Sequence, residues 1–240
     1  VVLVTGAARR VGRVIARTLH RAGYDIALHF RNAKDDAEQL AAELESVRAT
    51  STHLFCADLA QIADLPKLVI RTVQRFGRLD ALVNNASAFF ATPVGEATEA
   101  QWDELFASNA KAPFFLSQAA APHLRAAKGS IVNLLDIYAE RPLARHTLYC
   151  MAKAALASMT LSLGRELGPE VRVNGVAPGA VLWPESGKAY TDQQDLVART
   201  ALKRAGSPED VAGAVLYLIR DAGFVTGEIL KVDGGRTLAI

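Results

Sequence analysis

Short apolar runs alternate with longer amphipathic stretches along almost the whole chain, and few folds accommodate that rhythm. Apolar runs at residues 1–4, 25–30, 52–56, 81–83, 130–135, 171–176 and 228–232 read as strands. Between them, residues 9–21, 34–47, 64–76, 149–167 and 208–220 carry apolar side chains at helical spacing, such as Val11, Ile15 and Leu19 in the first. Gly23 stands just past that first helix, Asp64-Leu65-Pro66 reads as the capped start of the third, and Gly168-Pro169 closes the long one. Trp102 and Phe106, four apart, read as the core stripe of a further helix. Strands that are apolar throughout must be covered on both faces, which requires a parallel sheet with crossover helices. The chain is therefore expected to be one α/β domain over residues 1–240, with about seven strands and helices on both faces. Residues 178–191 are the least patterned and are the candidate substrate lid.

Composition narrows the function classes. The 27 basic and 25 acidic residues leave a net charge of +2, which gives nucleic acid or a membrane surface nothing to recognise. No run reaches the roughly 18 apolar residues of a membrane span. The two cysteines, Cys56 and Cys150, form no disulfide framework and imply a reducing, cytoplasmic compartment, with Cys150 a packing residue. His20, His29, His53, His123 and His146 are scattered without metal-ligand spacing, so no metal site is expected. The opening strand has no initiator Met before it, which predicts a trimmed leader.

The first chemical signal is Thr5-Gly6-Ala7-Ala8-Arg9-Arg10-Val11-Gly12, between the first strand and first helix. Small residues there let the backbone approach a dinucleotide's pyrophosphate at a helix N-terminus. The second strand ends Phe30-Arg31-Asn32, with no carboxylate for ribose hydroxyls. Arg31, with Arg9, is instead placed for a 2′-phosphate, so NADPH is the expected cofactor; a solvated surface charge is the alternative for Arg31. Asp58, after the third strand, suits an adenine amino group or a helix cap.

The second signal is Tyr149-Cys150-Met151-Ala152-Lys153, whose spacing puts Tyr149 and Lys153 on one helix face. A nearby ammonium lowers a phenol's pKa and makes it a usable proton donor. Taken with the glycine turn, Asn84-Asn85-Ala86, Asn109 and Pro178-Gly179, these elements resemble the short-chain dehydrogenase/reductase family along nearly the whole chain. The resemblance implies a Rossmann-type doubly wound sheet, a nicotinamide cofactor and a homotetramer or homodimer. It implies that Gly6, Arg9, Arg10, Gly12, Arg31, Asp58, Asn85, Ala86, Pro178 and Gly179 line the cofactor. It also implies that Lys153 contacts the nicotinamide ribose and that Asn109 helps order a proton-relay water.

Two departures point further. The family's serine thirteen residues before the tyrosine is Asp136 here, and the usual middle glycine of the turn is Arg10. With Asn85-Ala86-Ser87-Ala88-Phe89 and Thr92-Pro93, they resemble the pteridine reductase branch. That resemblance implies catalysis by Asp136 and Tyr149, and a pterin ring held by Arg10, Ser87 and Phe89 over the nicotinamide. A flat heteroaromatic ring suits stacking on Phe89, and Arg10 can donate to its carbonyl. The alternatives are core packing for Phe89, phosphate binding alone for Arg10, and an inactivated site for Asp136. The expected function is NADPH-dependent reduction of a dihydropterin, extending to dihydrofolate. Against it stand a short-chain carbonyl or oxoacyl reductase and a catalytically silent NADP(H)-binding sensor or scaffold.

Overall fold

The computed structural model describes residues 1–181 and 197–238. Seven strands form one sheet in the order β3-β2-β1-β4-β5-β6-β7, and every pairing is parallel. They are β1 (Val2–Val4), β2 (Ile26–Phe30), β3 (Thr52–Cys56), β4 (Ala81–Asn84), β5 (Ser130–Leu134), β6 (Arg172–Pro178) and β7 (Ile229–Val232). The described helices are α1 (Arg10–Arg21), α2 (Lys34–Val47), α3 (Leu65–Phe76), α4 (Glu99–Phe106), α5 (Ala112–Ala127), α6 (Thr147–Glu166) and α7 (Pro208–Arg220).

Strand periodicity assigns the two faces. Val2 and Val4 of β1, Ile26 and Leu28 of β2, and Ala81 and Val83 of β4 pack with Ile15, Leu19, Leu40 and Val215, under α1, α2 and α7. Leu3, Ala27 and Leu82, one register step away, pack with Leu65, Leu116, Leu124 and Leu163, under α3, α5 and α6. Each valine, leucine or isoleucine among them withdrawn from water is worth about 1.5–3 kcal/mol, so a one-residue slip would forfeit a face. The chain runs outward from β1 to β3, then crosses back to β4. The order therefore reverses between β1 and β4, and the crevice beyond their carboxyl ends is where a doubly wound sheet binds ligands.

Several expectations are corrected. Asp64 does not cap α3 with its side chain but binds Lys67 at 2.7 Å, and α3 is entered from a short 3-10 turn, Ile62–Asp64. Trp102 is 40 % exposed and stacks on Phe106 with ring centroids 4.4 Å apart, so Leu105 carries the burial of α4. Sequence periodicity missed α5, because alanines and Pro122 blur its apolar face while small side chains still let it seat closely. Strand β6 runs two residues further than expected, and Pro178 pairs with Val232. Among the described residues no helix is long and apolar enough to cross a membrane. The lid expected at 178–191 lies outside the described residues from position 182 onward.

Candidate active site

The turn after β1 is tied to the end of β4. Thr5 Oγ1 accepts the N–H groups of Asn85 and Ala86 at 2.9 and 3.0 Å, and Asn85 Nδ2 donates to the carbonyls of Thr5 and Gly6 at 2.8 and 3.1 Å. Gly12 is enforced by closeness, since a Cβ there would lie 2.3 Å from the Gly6 carbonyl oxygen. Gly6 sits at φ +61° and donates its N–H to His29 Nδ1 at 3.1 Å. The proton of His29 is therefore on Nε2, which donates to the Ala57 carbonyl at 3.1 Å. Burial pushes His29 down to about 4, so it stays neutral while clamping β2, β3 and the turn together. Sequence reasoning gave His29 only a bland reading; its one signal was a polar residue inside an apolar strand.

Helix α1 starts with no side-chain cap and no acid in its first turn, so its leading N–H groups point at the crevice. Arg10, at φ +52°, takes a left-handed backbone that glycine adopts without strain and that costs other residues roughly 1–2 kcal/mol. Arg9 donates through Nε to Asp36 Oδ2 at 2.6 Å, so a carboxylate that the sequence reading did not count stands beside it. Arg31 is exposed at the end of β2. Asp58 is exposed, and its Oδ1 accepts the Ala60 N–H at 3.0 Å in a turn. At the end of β6, a Cβ on Gly179 would lie 2.8 Å from Asp233 Cα, so the close approach of chain there requires glycine.

The second half of the site gathers where β5 meets α6. Tyr149 Oη donates to Asp136 Oδ2 at 2.8 Å, and the Tyr138 N–H donates to Asp136 Oδ1 at 3.0 Å. Burial raises the Asp136 carboxyl above its ordinary range, against those two hydrogen bonds and the charges of Lys153 and Arg236. Lys153 is buried, donates to the Leu134 carbonyl at 2.7 Å and lies 5.8 Å from the Tyr149 ring centroid. Desolvation pulls Lys153 down to about 8, opposed by the Asp136 charge. A carboxyl and an ammonium, each pushed toward its neutral form, thus flank one phenol. Cys150 is buried and accepts the Leu143 N–H at 3.3 Å, and burial raises its thiol pKa.

Phe89 meets Tyr149 edge-on with centroids 4.7 Å apart, and His146 stacks on Phe89 at 4.8 Å. The stacked histidine is a neighbour that sequence reasoning missed, because nothing in the spacing links the loop after β4 to the start of α6. Asn109 lies buried in a π-helical segment, Ala107–Lys111. Its amide donates to the carbonyls of Ala88 and Leu105 at 3.0 Å and accepts from Ser87 Oγ at 2.7 Å. The side chain thereby straps down the loop that carries Ser87 and Phe89. Below the site, Asn84 Nδ2 donates to Asn133 Oδ1 at 2.8 Å and Asn133 Nδ2 to Thr160 Oγ1 at 2.9 Å, fixing α6 to the sheet. Among the described residues no three His, Cys, Asp or Glu side chains gather as a metal site.

A Rossmann-type sheet with a close-packed glycine turn at its switch point and a Tyr-x-x-x-Lys pair beside β5 defines the class as nicotinamide-dependent oxidoreductases. The family model described as enoyl-(acyl carrier protein) reductase matches residues 6–237. Pteridine reductase 1 of Leishmania tarentolae is 37% identical, covering 99% of this chain and 96% of its own length. A protein of Streptomyces violaceoruber, named for a ketoacyl reductase of granaticin polyketide synthase, is 36% identical over 99% and 96%. The 3-oxoacyl-(acyl-carrier-protein) reductase of Staphylococcus epidermidis is 32% identical over 97% of both chains. The chain belongs to the short-chain dehydrogenase/reductase family. These identities lie close together, so the choice of substrate class rests on the residues of the site.

Proposed function

We propose that the chain is an NADPH-dependent reductase of pteridines, converting a dihydropterin to a tetrahydropterin and accepting dihydrofolate as well. The observation that carries this reading is the Asp136 carboxyl bonded to the Tyr149 hydroxyl at 2.8 Å. A carbonyl reductase wants a neutral hydroxyl donor at that position to polarise its substrate, whereas reduction of a C=N bond needs a proton delivered to nitrogen. The likeness to a pteridine reductase supports the same reading.

The residues fit a nicotinamide dinucleotide, because the Gly6–Gly12 approach admits no Cβ and α1 begins uncapped. Gly6, Arg9, Arg10 and Gly12 would hold the pyrophosphate side, Arg31 with Arg9 the 2′-phosphate, and Asp58 the adenine amino group. Asn85, Ala86, Pro178 and Gly179 would line the nicotinamide half, with Lys153 on its ribose. The cofactor supplies the hydride. Asp36 is already neutralised by Arg9, which keeps the ribose pocket compatible with an extra phosphate.

The chain's own part is the proton and the placement of the ring. In its protonated form, which burial favours, Asp136 passes its proton to Tyr149 Oη as Tyr149 gives its hydroxyl proton to the ring nitrogen. The nitrogen gains one proton, the phenol is restored, and Asp136 is left as a carboxylate beside the Lys153 ammonium. Phe89 stacks on the ring and Arg10 donates to its carbonyl. Ser87 gives its own proton to Asn109, so its oxygen accepts from a pterin amino group. Asn109, whose amide is committed to the loop, orders a relay water through the backbone of its π-helical turn. As in the family, the working unit is a homotetramer or homodimer, and the two unpaired cysteines suit the cytoplasm.

NADPH oxidation followed with dihydrobiopterin, with ethyl acetoacetate and with no second substrate tests this reading. Turnover of the pterin is expected. Turnover of the ketone alone would replace the reading with a carbonyl reductase, and turnover of neither with a silent NADP(H)-binding protein.

A further inference from the structure

A second cleft, of about 250 Å³, opens beside the reaction centre, with Ile137, Tyr138, Arg141, Arg199, Arg236 and Thr237 in its wall. It shares that wall with the active site, since the Tyr138 N–H is the donor that holds Asp136 Oδ1. Arg236 lies over the Tyr138 ring, 5.6 Å from its centroid, and its Nη2 donates to the Tyr138 hydroxyl at 3.3 Å. Arg141 Nη2 reaches the Thr237 carbonyl at 3.4 Å. Arg141 and Arg236 therefore bring two guanidiniums to one small volume, with Arg199 also in its wall, and no carboxylate is among the described residues that line it.

Three described acids near Arg141 and Arg236 in sequence are engaged elsewhere. Glu140 holds Lys231 at 2.5 Å. Asp233 accepts the N–H groups of Gly235 and Thr237, both at 2.8 Å. Asp136 faces Tyr149 and Tyr138. The remaining wall is Pro142, Leu143 and Ala144, an apolar floor suited to an aryl or alkyl spacer. Such a floor below planar, always-charged forks is the chemistry that recognises an oxyanion on a hydrophobic tail.

We infer that this cleft binds the anionic group, carboxylate or phosphate, on the tail of the substrate whose ring is reduced at Tyr149. The inference rests on the reductase reading above and sharpens it: a folate-type substrate with aryl spacer and glutamyl carboxylates fills the cleft, whereas a pterin with a short neutral tail leaves it unused. A pantetheine thioester would present phosphate to the same arginines.

Two matched substrate pairs separate these cases: dihydrofolate against dihydrobiopterin, and acetoacetyl-coenzyme A against ethyl acetoacetate. Each is assayed with the unmodified protein, Arg141→Gln and Arg141→Lys. On the pair that is turned over, Arg141→Gln is expected to raise KM for the anionic member by about fivefold or more and leave the neutral member within about twofold. Arg141→Lys should recover much of the loss, and added salt should weaken only the anionic member. The responding pair identifies carboxylate or phosphate. Equal changes in both members, or none in the anionic one, would overturn the inference. Failure of the reductase reading shows separately, as no turnover of either pair by the unmodified protein. Calorimetric binding of p-aminobenzoylglutamate and of inorganic phosphate then decides the cleft: binding lost in Arg141→Gln upholds it, and no binding to the unmodified protein refutes it.

Discussion

Replacing Gly12 by alanine tests the architecture of the cofactor turn at its tightest point. The new Cβ would stand 2.3 Å from the Gly6 carbonyl oxygen and 2.5 Å from Asn85 Nδ2, where Cβ contacts below 3.0 Å essentially never occur. The carbonyl belongs to the turn's backbone and cannot rotate away. Asn85 Nδ2 is already bonded to Thr5 and Gly6. α1 must shift by roughly 0.7 Å, and the turn opens with it and loses both of those bonds. Overpacking costs about 1–3 kcal/mol and each lost hydrogen bond about 0.5–1.5, so about 2–6 kcal/mol is expected. For a domain of this size that lowers Tm by roughly 5–20 °C. Thermal unfolding and NADPH titration of the same sample are the assay, with cofactor affinity falling more than about tenfold because the displaced N–H groups no longer converge. Gly213→Ala is the internal control: on the exposed side of α7, with nothing within 4 Å of its added Cβ, it should raise stability by about 0.5–1 kcal/mol. A Gly12→Ala protein with unchanged Tm and NADPH affinity would refute the reasoning.

Asp136→Ser should suppress dihydropterin reduction sharply while ketone turnover survives or rises; full pterin turnover would leave the carboxyl without a chemical role. In the unmodified protein, turnover should rise toward acid, because the carboxyl is active when protonated and burial holds its pKa above the ordinary carboxylate range. It should fall on the alkaline side, where Lys153, near 8, loses its charge, and the apparent pKa values belong to the cluster. Asp136 also carries a stability signature: with the folded pKa raised, stability declines as pH rises from the ordinary carboxylate range through the folded value, and Asp136→Ser should remove that decline in pH-dependent unfolding. Tyr149→Phe should cut turnover by about 100-fold or more with NADPH affinity nearly unchanged, and undiminished turnover would place the proton donor elsewhere. Arg31→Asp should weaken NADPH binding by about 1.5–3 kcal/mol and spare NADH, and equal affinities for the two cofactors in the unmodified protein would defeat the assignment.

Much of this molecule is legible locally. The central strands are largely apolar runs, so their need for cover on both faces follows from the sequence, while the edge strands β3 and β7 are only partly buried. Tyr149 and Lys153 are neighbours by helical spacing alone. The glycine turn stands where a strand hands over to a helix. Local pattern is ambiguous elsewhere: α5 is too rich in small apolar residues for a period to show, and in α4 Trp102 is exposed while Leu105, three residues on, takes the buried position.

What the sequence by itself determined is therefore what periodicity and adjacency encode: seven strands, most of the crossover helices, the turn, and the side chains paired within one helix. Only the tertiary structure decided which groups from separate elements meet. It put Asp136 of the β5 end on Tyr149 of α6, His29 of β2 under Gly6, His146 on Phe89, and Asp36 of α2 on Arg9. The reason is physical. A repeat period tells which face of an element is buried, but partner choice depends on the order in which strands line up, and the pKa shifts of Asp136 and Lys153 come from burial that this assembly alone creates.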